Sequence, residues 1–87
     1  MAIRKNWQGN PLDTWLTAHN LTPCQLAIAS GTDFNVPYNC LNGYVKQLPQ
    51  HIIEAVDMLD GDGAGNKLDR AYMVYRDGMA HDLLTKV

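Results

Sequence analysis

The side chains in this sequence best suited to recognition chemistry are amides. Asn35, Asn39 and Asn42 recur at i, i+4 and i+7 in DFNVPYNCLNG, with Tyr38 beside them. On a helix that spacing sets three carboxamides along one face. A carboxamide presents donors and an acceptor in one plane and pairs in bidentate fashion with N6 and N7 of adenine. A surface built this way suits A·T-containing duplex DNA, with Asn39 best placed. Asparagines also cap helices and solvate turns without any ligand.

Other candidate chemistry is weaker. Asp60-Gly-Asp62-Gly-Ala64-Gly65 begins like a calcium loop, but Ala64 stands at the fifth position and Ala71 at the twelfth, where the bidentate carboxylate belongs. The same glycines follow no strand and lead to no Lys-Ser/Thr pair, so they form no phosphate or dinucleotide fingerprint. Cys24 and Cys40 lack a CxxC spacing, and His19, His51 and His81 do not complete a zinc set. Both thiols are expected to be free and mostly buried. No nucleophile is paired with a base, so no enzyme, metal or cofactor is expected.

A chain of 87 residues, 46% hydrophobic and 18% charged, supports one small core, and a single domain over residues 1–87 is expected. The formal net charge is −2 and the isoelectric point about 5.8. That balance gives no global attraction to nucleic acid or anionic lipid, so any DNA contact rests on a local patch. The N-terminus has no secretory apolar run, and no stretch approaches the roughly 18 apolar residues of a membrane span. A soluble, cytoplasmic protein is the expectation.

The elements that must position the amides are helices. Asn10-Pro11-Leu12-Asp13 combines a capping amide, a proline at the first helical position and an early carboxylate. Leu12, Trp15, Leu16 and His19 then share a face. Thr22 and Gln25 form a T-x-x-Q capping box with Pro23 behind the cap, and Gly31 closes the short run that follows. Ile52, Val56 and Leu59, widened by Ile53, mark a third amphipathic helix after Pro49. The segment GDGAGN predicts a flexible loop, with Asn66 capping a last helix that Gly78 kinks or splits. The predicted helices cover residues 11–19, 22–30, 36–43, 50–60 and 67–77, with no strand: an all-α bundle of about five helices containing a helix-turn-helix.

The run LTPCQLAIASG, the following Asn42-Gly43, then Leu48-Pro49 and an amphipathic helix resemble the lambda-repressor-like (Xre/Cro/CI) helix-turn-helix family of phage and bacterial transcriptional regulators, over about residues 12–59. The resemblance implies a capped second helix abutting a phosphate, a third helix reading base edges, and a loop after it that returns to the DNA backbone. The implied base contacts are Asn35, Tyr38, Asn39 and Asn42; the implied phosphate contacts are Thr22, Gln25, Lys46 and Gln47, with Arg4 and Lys5 as an arm.

Pro37 complicates the third helix. Counted strictly from Gly31, Pro37 and Cys40 fall on core positions. With a turn one residue longer, Phe34, Tyr38 and Leu41 form the buried face, Asn35 becomes the N-cap and the helix starts near residue 36. The longer turn gives the better apolar face and is the expected register.

The expected function is sequence-specific binding of double-stranded operator DNA as a homodimer. Leu68, Tyr72, Tyr75 and Met79, an aromatic-rich stripe within 67–87, would form the dimer interface unless they complete the monomer's own core. Between residues 20 and 50 the charged side chains are Asp33 and Lys46 alone, which favours the rival: a helix-turn-helix that contacts a protein partner, as an antirepressor, antitoxin or other inhibitor would.

Overall fold

The computed structural model describes residues 7–85. These fold into five helices, α1 Pro11–Ala18, α2 Pro23–Ser30, α3 Asn35–Leu41, α4 Gln50–Asp60 and α5 Ala64–Thr85, with no strand among the described residues. The all-α class and the element order follow the sequence expectation.

α1 starts where Asn10 caps it: the side-chain oxygen accepts from the Leu12 amide at 2.9 Å. Leu12, Trp15 and Leu16 are buried, and the helix ends as Asn20 adopts a positive φ of 57°. Beyond it Leu21 N–H returns to the Leu16 carbonyl, which closes the last turn. α2 carries both halves of the predicted capping box, Gln25 N–H to Thr22 Oγ1 and Thr22 N–H to Gln25 Oε1.

α4 lays Ile52, Ile53, Ala55 and Val56 into the core. Leu59, predicted on that face, is half exposed.

α5 departs most from expectation. It begins at Ala64 and runs through Gly78 without a break, about 33 Å of helix at 1.5 Å per residue. Its N-terminus is held by Asp57, whose Oδ1 accepts the Gly65 N–H at 2.7 Å, so Asn66 lies within the helix rather than at its cap. A carboxylate is a strong acceptor for such an orphan amide and suits the positive end of a helix dipole.

Gly65 belongs to a close helix crossing. A Cβ there would sit 2.2 Å from the Ile53 carbonyl oxygen, so only glycine lets α5 lie this tightly on α4. The core that results joins Leu12, Leu16, Leu26, Leu41, Leu48, Ile52, Val56 and Tyr72, all nearly or wholly inaccessible. A second latch ties α1 to the end of α4: Trp15 Nε1 donates to Asp60 Oδ2 at 3.3 Å, and the His19 ring stacks on Trp15 with its Nε2 at 3.4 Å from Asp60 Oδ1. Among the described residues no helix is long and apolar enough to cross a membrane.

Candidate nucleic-acid interface

The α2–α3 corner is built on backbone conformation. Gly31 closes α2 with φ 72°, in the left-handed region, and Thr32 N–H turns back to the Ala27 carbonyl at 3.0 Å. A Cβ on Gly31 would meet nothing within 4 Å, so glycine is required there by φ and not by space. Leu26 and Ala27 are buried beneath the corner.

α3 takes the strict register, a correction to the longer turn. Pro37, Cys40 and Leu41 are its buried residues, while Phe34 is 68% exposed. Asn35 is the first helical residue and not the N-cap; Phe34 holds that position without a side-chain hydrogen bond. Proline explains the choice. In the first turn it has no N–H that needs a helical partner, so its ring is free to act as an apolar core group. Cys40 behaves likewise as a small hydrophobe, and burial, with Asp69 adding to it, pushes its thiol up to about 11. Both cysteines are free, but Cys24 is exposed, contrary to the expectation of two mostly buried thiols.

The four residues expected to contact bases divide. Asn35 is exposed and Asn39 half-buried, and neither side chain makes a hydrogen bond among the described residues. Tyr38 is half-buried and leans on the Trp7 ring at 5.8 Å between centroids. Asn42 is the C-cap of α3, and its Oδ1 accepts the Trp7 indole N–H at 2.8 Å. One lone pair of that oxygen is thus engaged within the fold, which sets Asn42 apart from Asn35 and Asn39.

The C-terminal end of α3 has a further anchor that sequence reasoning missed. Asn10 is fully buried, and while its oxygen caps α1 its amide nitrogen donates to the carbonyls of Cys40 at 3.2 Å and Leu41 at 2.9 Å. One side chain thus satisfies orphan groups at the start of one helix and the end of another. Its place as a cap was visible locally; its second partners, about 30 residues on, were not.

Of the expected phosphate contacts, Thr22 and Gln25 are exposed at the start of α2, where the capping box engages each side-chain oxygen and leaves the Gln25 amide nitrogen as a donor. Lys46 and Gln47 are exposed in the loop between α3 and α4. Arg4 and Lys5 lie outside the described residues.

The stripe expected to form a dimer interface faces inward, a second correction. Tyr72 is fully buried, and Leu68 and Tyr75 pack against the core. Met79 lies over Gly43, its sulfur 3.4 Å from where a Cβ would stand. Burial drives the Tyr72 hydroxyl up to about 12, and that hydroxyl donates to the Val45 carbonyl at 2.8 Å. α5 packs against both α1 and α4, which turns the stripe toward the monomer's own core. Comparison with protein-family models, with curated proteins and with solved structures returns no match to this chain.

Proposed function

We propose that the chain is a sequence-specific DNA-binding regulator of transcription, of the phage, prophage or plasmid type that its resemblance to lambda-repressor-like proteins suggests. The observation that supports this best is the pair Asn35 and Asn39. Both carboxamides stand on a short helix that follows a tight glycine turn, and neither has a hydrogen-bond partner among the described residues. In this reading they pair with adenine edges in the major groove, while Gln25, Lys46 and Gln47 contact phosphates. The operator is bound by a homodimer whose seam lies elsewhere than on the inward-facing stripe of α5.

The test is fluorescence anisotropy with duplexes from the region upstream of the chain's own gene, over a series of salt concentrations. A DNA reader gives an affinity that falls with salt in proportion to its phosphate contacts and exceeds its affinity for random duplex. Asn39→Ala lowers the specific affinity by about 1–3 kcal/mol and leaves random DNA unchanged.

Contact with a protein is the second reading. Ile28, Phe34 and Tyr44 are 76%, 68% and 74% exposed, on or next to α2 and α3, in a stretch with Asp33 and Lys46 as its sole charges. Large exposed apolar side chains beside few cations suit a protein surface better than a polyphosphate. A chain that ignores all duplexes at low salt favours this reading.

A further inference from the structure

The loop between α3 and α4 holds Lys46 and Gln47, and its own backbone does not fix it. Among the described residues no backbone–backbone hydrogen bond involves residues 45–48. Instead α5 reaches across from one side with two side chains. The Tyr72 hydroxyl donates to the Val45 carbonyl at 2.8 Å, and Asp69 Oδ1 accepts the Leu48 N–H at 2.7 Å. The two anchored groups bracket the two exposed residues, since 45 and 48 flank 46 and 47. Tyr72 is fully buried and Leu48 nearly so, which places one anchor and the residue held by the other in the core.

We infer that Tyr72 and Asp69 are positioning residues that hold the Lys46–Gln47 loop in the conformation that meets the DNA backbone, an inference that rests on the DNA reading above. An untethered loop must be ordered when it binds, and ordering one residue's backbone costs on the order of 1–2 kcal/mol. Two anchors set in the free protein remove that cost from the binding step. The second of them is charge-assisted, the stronger kind of hydrogen bond. α5 therefore serves recognition from behind the loop without touching DNA. This also gives Tyr72 a use for its hydroxyl that core packing alone, which phenylalanine would supply, does not explain.

The experiment is a double-mutant cycle on the full chain. Tyr72→Phe keeps the buried ring and removes the donor; Asp69→Asn keeps the shape and weakens the acceptor. Each is combined with Lys46→Ala, and affinity is read on specific and random duplexes across a salt series. Thermal midpoints and the exchange rate of the Leu48 amide are read in parallel. The inference expects Tyr72→Phe to weaken both duplexes alike, by roughly 5- to 10-fold. Lys46→Ala lowers the salt slope by about 0.9. In the Lys46→Ala background, Tyr72→Phe then costs less than about twofold, because the anchor acts through the loop. Faster exchange of the Leu48 amide in Asp69→Asn belongs to the same expectation. Strictly additive costs in a wild type that binds DNA overturn the positioning role and leave the DNA reading intact. A wild type that binds no duplex at low salt overturns both.

Discussion

The two ends of α3 are held in opposite ways. At its C-terminal end the last carbonyls are taken by the buried Asn10 amide, the Asn42 oxygen by the Trp7 indole, and Gly43 passes beneath Met79 with φ 77°. At its N-terminal end Phe34 caps without a side-chain bond, and both Phe34 and Asn35 face solvent. One end is fastened to parts of the chain distant in sequence; at the other the Val36 N–H bonds locally to the Asp33 carbonyl at 3.0 Å, and the Asn35 side chain has no partner among the described residues. The contrast separates the tied carboxamides of Asn10 and Asn42 from those of Asn35 and Asn39, which have no partner among the described residues.

The sharpest way to break this contrast is to unfasten the tied end. Asn10→Ala leaves the Leu12 amide and the Cys40 and Leu41 carbonyls without their partner in a buried site, and should destabilise by about 3 kcal/mol in urea denaturation. The same variant should expose Cys40 to alkylation, whereas in the wild type burial and a pKa of about 11 keep that thiol covered and protonated. A cost below about 0.5 kcal/mol, the scale of an ordinary surface change, would show that Asn10 is not the fastening.

Smaller effects follow along the same end. Gly43→Ala forces a Cβ into the left-handed region and against Met79, for an expected loss of about 1.5 kcal/mol in thermal unfolding. Trp7→Phe keeps an aromatic ring against Tyr38 but removes the indole donor, for a loss of about 1 kcal/mol. In that variant the Asn42 amide should show altered shifts in the spectrum of the free protein. At the bare end Asn35→Ala should change stability by less than about 0.5 kcal/mol, because no internal bond is lost. A larger loss would mean that the start of α3 is tied after all.

How much of this was legible in the sequence depended on the distance to the partner. The Thr22–Gln25 capping box, Asn10 as a cap and Gly31 as a turn all act within three residues of themselves, and each stands where the sequence put it. The start of α5 differs from the sequence expectation because its cap is Asp57, eight residues away across a corner, and Gly65, which reads locally as a flexible position, marks a close crossing with Ile53. The register of α3 went wrong for a chemical reason. Phe34 is more apolar than Pro37 or Cys40, and periodicity weighs residue type without knowing that the space beneath α3 suits small, compact groups. In the candidate site the spacing of the amides is a local feature, but the engagement of Asn42 by Trp7 spans 35 residues and has no local mark. The inward face of the Leu68–Met79 stripe was likewise open until the neighbours of α5 were in view.

The central claim is that free carboxamides at the start and middle of α3 meet DNA while the tied ones do not. Side-chain amide resonances of Asn10, Asn35, Asn39 and Asn42, followed by nuclear magnetic resonance as an upstream duplex is added at physiological salt, test it directly. The account predicts that the Asn35 and Asn39 signals move on saturation while those of Asn10 and Asn42 stay close to their free positions. Unmoved Asn35 and Asn39 signals in a saturated complex would contradict it.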